Sequence, residues 1–454
     1  MKLFSKFFLI ASVLFTNLHI FAAAPHNKVY ISNENGNSIS MYDTTTGDVK
    51  QVDIGGKSKE LALTPDGLKL YILKEKSVYV LNTETLQKIA DINLSKNNSF
   101  FSEPKFIAIN GTSAYVTATS ITKLSMNAVA AKLCVINTQT QEFEELTYSP
   151  LREPGQKIIA KGVAITFDGN HVYAVYNVLP NNTPNAGNFA VQFEIPSNKR
   201  LSTFQIHTNS LTTIPHHSKI YGSHEFDPHL MIINTINNFV STSNIQRSAH
   251  RFAAQLSINI PIAYATARRP HPELGKGNII LINTNNNTFI KYFTVPGEAW
   301  GIALNNDGTK LYVTNYEENK NEVFILNVNA TGDITGINGN IKTAGRPWGI
   351  VVGPESSEKK IVLPPSNLKG EVIKNRFLTQ TDIVNHLTWK ASPDQNVVIY
   401  NIYRNDRLIG NVSSNSRLEF VDHNRKERKL YTYAVEAVDS DELASNPVIY
   451  TIED

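Results

Sequence analysis

Residues 300–315 read W-G-I-A-L-N-N-D-G-T-K-L-Y-V-T-N. A short apolar strand rich in small residues, a tight N-D-G turn and an alternating strand centred on Tyr312 together spell a β-hairpin. The second strand has counterparts along the chain: K-V-Y-I-S, K-L-Y-I-L, S-A-Y-V-T, H-V-Y-A-V, K-I-Y-G-S and I-A-Y-A-T, centred on Tyr30, Tyr71, Tyr115, Tyr173, Tyr221 and Tyr264. Successive tyrosines lie 41 to 58 residues apart, near the roughly 40–50-residue period of a propeller blade.

The rest of each repeat follows the same order. After the tyrosine strand comes a second apolar run that usually ends in Asn, as in V-Y-V-L-N (78–82), L-C-V-I-N (133–137) and I-I-L-I-N (279–283). A more polar third strand follows, as in 87–94 and 288–294. The small-residue strand then leads back to the next tyrosine. Glycine and alanine suit it to the crowded innermost position. Seven such strands are readable, at 59–65, 105–110, 161–167, 210–215, 252–258, 299–305 and 347–353. Helical periodicity is absent beyond the first residues, so the chain is expected to be all-β. The repeat region opens on a tyrosine strand and closes on an innermost strand, P-W-G-I-V-V-G-P (347–354). Pairing of 347–353 with 28–33 is therefore expected to close a seven-bladed ring and remove its open edges.

This pattern resembles the YVTN family of seven-bladed β-propeller repeats, through L-Y-V-T-N (311–315) and the longer stretch at 300–315. The likeness covers about residues 25–356, within a propeller domain set at 25–358. That group includes surface-layer-like proteins, lactonase-like enzymes and periplasmic binding proteins, so the resemblance implies a fold more than an activity. The period stops near Lys360. Residues 359–454 contain H-L-T-W-K (386–390), I-Y-N-I-Y-R-N-D-R-L-I-G (399–410) and K-L-Y-T-Y-A-V-E-A-V-D (429–439). They resemble a fibronectin type III domain, a β-sandwich in which Trp389 would be the core tryptophan and Tyr431 the corner tyrosine.

Residues 1–24 read as an export signal. Lys2 and Lys6 precede an apolar run from Phe7 to Phe15, and Ala22 and Ala24 fit the cleavage positions, with Pro25 ill-suited to follow the cut. No other stretch is long and apolar enough to span a membrane. The single cysteine, Cys134, excludes an intramolecular disulfide and lies in an apolar strand, where it reads as a small core residue. The protein is expected to be exported, periplasmic or secreted to the cell surface, and monomeric. A formal net charge of +3 argues against nucleic acid as a partner.

Turns between innermost and tyrosine strands are short (T-P-D-G, T-F-D-G-N, N-N-D-G), whereas longer segments at 118–131, 178–187, 224–229, 267–277 and 316–321 emerge at the opposite end. Ligand sites in repeat scaffolds gather where loops are long. On that face lie His224, Glu225, Asp227 and His229, then His250 and Arg251, then Arg268, Arg269, His271 and Glu273, with Trp300, Arg346 and Trp348 at two inner-strand entries. Eight of the twelve histidines fall between 171 and 271. Two chemistries are open here. His224, His229 and His250 with Asp227 are candidate ligands for a divalent metal, set against ordinary surface histidines. Arg251, Arg268, Arg269 and Arg346 are a candidate clamp for an anionic ligand, with Trp300 and Trp348 as stacking surfaces, set against W-G packing between blades. Haem-attachment, nucleophile-elbow and phosphate-loop motifs are missing.

These features predict a non-enzymatic, exported recognition or adhesion scaffold that binds a protein or glycan and needs no cofactor. The competing expectations are a metal-dependent, lactonase-like hydrolase or lyase on the same face, and a structural surface-layer-like component.

Overall fold

The computed structural model describes residues 27–95, 100–122, 128–149, 157–179, 187–224, 227–255, 257, 259–267, 276–354, 362–376, 381–394, 396–439 and 444–453. Residues 1–24, read from the sequence as an export signal, lie outside them. Among the described residues the chain is all-β, and no helix is long and apolar enough to cross a membrane.

Seven four-stranded antiparallel sheets form from residues 28–352 among the described residues. Each places a small-residue strand first, then a tyrosine strand, a third strand and an exposed outer strand, in the order read from the sequence. In the first sheet the small-residue strand comes from the far end of the repeat region. Pro347–Val352 pairs with Lys28–Asn33, with Val29 opposite Val352 and Ile31 opposite Ile350. The segment 118–131 is not the loop expected of it. Ser113–Thr122 and Ala128–Asn137 run on as one long hairpin, pairing Thr119 with Ala131 and Ile121 with Ala128, because alternating β-branched and small residues keep the ladder going.

All seven tyrosines are 0–3% exposed, and each packs on the aliphatic residues of the following sheet. Tyr30 meets Leu61, Leu70 and Ile72; Tyr71 meets Val116 and Cys134; Tyr312, in the seventh sheet, meets Val29 and Ile31 of the first. The asparagine that ends the second apolar run shapes the next turn. Asn82 Oδ1 accepts from the Glu84 and Thr85 N–H groups, and Asn137 and Asn283 repeat this arrangement. That bond fixes an Asx turn. Four residues after the asparagine the chain takes a positive φ, at Leu86 (57°), Gln141 (64°), Asn238 (56°) and Asn287 (60°).

These turn residues serve the tyrosine of the preceding sheet. The Tyr71 hydroxyl donates to Gln141 Oε1 at 2.9 Å, Tyr173 to Asn238 Oδ1 at 2.5 Å and Tyr221 to Asn287 Oδ1 at 2.6 Å. Leu86 holds the equivalent position facing Tyr30 and offers no acceptor. The buried Tyr30 hydroxyl has no hydrogen bond of ordinary geometry.

Seven further strands, from Ser366 to Ile452, build two antiparallel sheets over one core of Leu387, Trp389, Tyr400, Ile402, Tyr433 and Val435. The Tyr431 oxygen accepts from the Lys426 N–H at 3.1 Å. This unit touches the tight-turn end of the repeat region. The Ser218 N–H donates to Asp406 Oδ1 at 3.4 Å, His216 Nδ1 lies 3.6 Å from Glu436 Oε2, and His217 Nδ1 lies 4.0 Å from Asp406 Oδ2. His216 and His217 are thus packed into a seam. Burial, with the Lys219 and His216 charges adding to it, pushes His217 down to about 3.

Two expectations follow for stability. Leu86→Asn relieves a side chain at positive φ and gives the Tyr30 hydroxyl an acceptor, so it should raise stability by about 1 kcal/mol in denaturant unfolding. An unchanged or lower midpoint would refute that account. In the unfolded chain His217 takes up a proton near pH 6.5, whereas the folded chain resists until about pH 3. The unfolded state therefore binds more protons between those values, and stability falls as pH drops through that window. From pH 6.5 to 5 the native protein should lose about 1.5 kcal/mol more than His217→Gln, read from paired melting curves.

Candidate functional site

The inner strands enter the fold at the long-loop end, and in four of the seven sheets the inner strand's register against the tyrosine strand slips near that entry. In the seventh sheet the register slips between Ala299 and Ile302, and in the first between Ile350 and Pro347, so that Trp300-Gly301 and Trp348-Gly349 are the bulged pairs. A bulge takes an N–H out of the ladder and turns side chains aside. Here the freed Gly301 and Gly349 N–H groups donate to Thr314 Oγ1 at 2.7 Å and Ser32 Oγ at 2.8 Å. Those hydroxyls then donate across to the next sheet, at the Trp348 and Lys59 carbonyls. Glycine is required at both positions. A Cβ on Gly349 would sit 2.6 Å from the Lys59 carbonyl oxygen, and one on Gly301 would strike that of Trp348.

The bulges direct Trp300 and Trp348 toward each other. Their ring centroids are 4.7 Å apart, Tyr316 stacks on Trp300 at 4.9 Å, and the buried His250 ring lies 4.7 Å from Trp300 on another side. Arg251 reaches from the sixth sheet to pair with Glu60 of the second, crossing Phe106 of the third at 4.8 Å. Glu60 also accepts from Trp348 Nε1 at 3.3 Å. Arg346 pairs with Glu34 and lies 4.1 Å over the Tyr316 ring, whose hydroxyl donates to the same carboxylate at 2.8 Å. The four sequence candidates Arg251, Trp300, Arg346 and Trp348 therefore do come together. They form a plug that ties five sheets to one another rather than an open clamp, because both guanidinium charges are met by carboxylates within the protein. Arg268, Arg269, His271 and Glu273 lie outside the described residues, as does Glu225.

The histidine sector is arranged differently from the expected metal set. Asp227 receives His207 Nδ1 at 2.8 Å and His229 Nδ1 at 2.6 Å, and His224 stacks on His207 with centroids 4.2 Å apart. Burial pushes the Asp227 carboxyl up, but hydrogen bonds from the His229 N–H and from both rings outweigh it and hold the group below its ordinary value. His250 is engaged instead with Trp300 in the plug. Among the described residues no group of three or more His, Cys, Asp or Glu is placed to hold a metal ion. His207 was missed in the sequence because it sits at the end of an outer strand, away from the S-H-E-F-D-P-H loop it joins.

Beside the plug, over the first three sheets, opens a cleft of about 460 Å³. Its walls are Glu34, Asn35, Lys57, Lys59, Leu73, Lys74, Glu75, Lys76, Glu103, Pro104 and Arg346, drawn from inner-strand entries and from the turns at 34–37 and 74–76. The Lys59 ammonium lies 5.5 Å over the Trp348 ring, and Lys74 is bound to Asp91 at 3.2 Å and to the Ile54 carbonyl. Glu103 is met by Lys105 at 2.6 Å. Among the described residues Lys57 and Lys59 have no carboxylate partner. The sequence signal was K-S-K-E (57–60) followed by K-E-K-S (74–77), a basic pair at the strand entry and another at the neighbouring turn of the same sheet.

No protein-family model matches the chain, and no curated protein does. Solved structures do. A 6-phosphogluconolactonase-like protein from Bacteroides fragilis is similar at 16% identity over 72% of this chain and 98% of that one, with a TM-score of 0.53. Another from Bacteroides uniformis matches at 14% identity over 71% and 99%, also at 0.53. Apo AztD from Citrobacter koseri matches at 12% identity over 71% and 97%, at 0.45. The repeat region is a β-propeller. At such identities the likeness reaches the fold and stops there.

Glu60→Gln tests the plug, since it leaves the Arg251 guanidinium without its counter-charge in a partly buried setting. It should lower stability by about 1–2 kcal/mol and alter tryptophan emission, measured by melting and fluorescence. Unchanged values in both would mean the ion pair holds nothing together.

Proposed function

We propose that the protein is an exported, non-enzymatic recognition scaffold that engages a protein or glycan partner through its long-loop face. The repeat region is read as a seven-bladed, YVTN-type propeller. The Lys28–Asn33 to Pro347–Val352 pairing and the packing of Tyr312 on Val29 and Ile31 support a sealed ring. Residues 359–454 are read as a fibronectin type III-like module. The buried Trp389 and the Tyr431–Lys426 bond support this.

One observation carries the functional reading. The concave cleft opens at the long-loop end, whereas the seam with the C-terminal sheets occupies the tight-turn end through Ser218, His216 and His217. One end of the toroid is thereby spent on internal contacts and the other is left to present loops and charges. The export signal at 1–24 supports a partner met outside the cytoplasm.

The test is capture from cell-envelope and host-cell extracts by the mature protein and by the double variant Lys57→Glu/Lys59→Glu. Both lysines are exposed, so the variant should melt like the native protein. A partner retained by the native protein and lost by the variant is expected. Equal capture by both would move the binding face elsewhere.

A further inference from the structure

Resting on the long-loop face as a ligand face, we propose that the cleft over the first three sheets is a site for an acidic oligosaccharide. Lys57 and Lys59 would be its anion contacts, and Asn35 and Glu75 its hydroxyl contacts. The volume of about 460 Å³ suits a small or oligomeric ligand lodged in a pocket, whereas a protein partner is ordinarily met on a far broader and flatter area. Only Leu73 and Pro104 among the lining residues are apolar. The ligand must therefore be polar over nearly its whole surface, which disfavours an apolar peptide or a nucleobase.

The charge pattern narrows the class further. Arg346, Lys74 and Glu103 are already matched by Glu34, Asp91 and Lys105. Lys76 is also engaged, so among the described residues the Lys57 and Lys59 ammonium groups, which have no carboxylate partner, remain to attract an anion. Glu75, on the adjoining turn, repels a uniformly charged polyanion and seeks O–H donors. A chain carrying both hydroxyls and spaced carboxylate or sulfate groups meets both demands at once. Lys59 also rests on the Trp348 ring at 5.5 Å. An anion that draws the ammonium into the cleft uncovers the indole, so binding carries its own optical signal.

The experiment titrates the full mature protein with a short oligouronate, a sulfated oligosaccharide, the carboxyl-reduced neutral counterpart of the first, and inorganic phosphate. Tryptophan fluorescence and calorimetry are the readouts. At least one acidic oligosaccharide should bind, more weakly as salt rises, and about tenfold or more tighter than the neutral chain. The preferred arm tells carboxylate from sulfate. Lys57→Glu/Lys59→Glu should lose about tenfold or more with its melting temperature unchanged, and Trp348→Phe should lose the optical signal while calorimetry still records heat. The proposal is overturned if neither acidic chain binds, if the neutral chain or phosphate alone binds equally well, or if the double lysine variant keeps its affinity. Capture from extracts that depends on the lysines, with both acidic chains failing, overturns the ligand class and leaves the face intact. Loss of lysine dependence in both experiments removes the face as well.

Discussion

The hydroxyl two residues beyond the repeated tyrosine holds one sheet to the next. Ser32, Thr117, Ser223, Thr266 and Thr314 each donate to a main-chain carbonyl at the entry of the following sheet's inner strand, at Lys59, Lys161, His250, Trp300 and Trp348. Where the geometry is fullest, the same oxygen accepts from a glycine N–H that a bulge has freed in its own sheet. One small side chain thus satisfies a stranded donor and a stranded acceptor on neighbouring sheets, two groups that burial would otherwise penalise. Leu73 and Val175 hold the same position in the second and fourth sheets. In the fourth, the Gly162 N–H bonds directly to the Asn209 carbonyl of the next sheet instead.

The site inherits its form from this relay. Bulging the inner strand at its mouth turns Trp300 and Trp348 inward, and that packing draws in Arg251, Glu60, Tyr316 and Arg346. The pairs that fill the mouth are mutually neutralising, so the charge left to attract a ligand moves outward to Lys57 and Lys59. An aromatic and guanidinium cluster at a strand entry resembles a binding platform in sequence. Its carboxylate partners, which lie 191 and 312 residues away in the chain, turn it into structure.

The two ends of the repeat region divide the labour. At one end, beside the tight D-G and N-G turns, His216, His217 and Ser218 meet Asp406 and Glu436 in a polar seam, where burial pushes the Asp406 carboxyl up and the His217 imidazole down. At the other end, inner-strand entries and the turns at 34–37 and 74–76 form the walls of the cleft. The fold separates the surface that fastens the C-terminal sheets from the surface free to meet something else.

The sequence by itself determined the order of strands, the seven-sheet repeat, the identity of the small inner strands and the pairing of residues 347–352 with 28–33. These depend on period-two alternation and on turn residues whose conformational preferences are local. It also brought Arg251, Trp300, Arg346 and Trp348 to one end, because every inner strand starts there. Only the tertiary structure decided which charges cancel. Glu60 and Glu34 carry no local mark that sets them against Arg251 and Arg346, and His207 none that joins it to Asp227. Such pairings arise from the angle at which one sheet meets another, and an ion pair acts over a few ångströms of space whatever the distance along the chain.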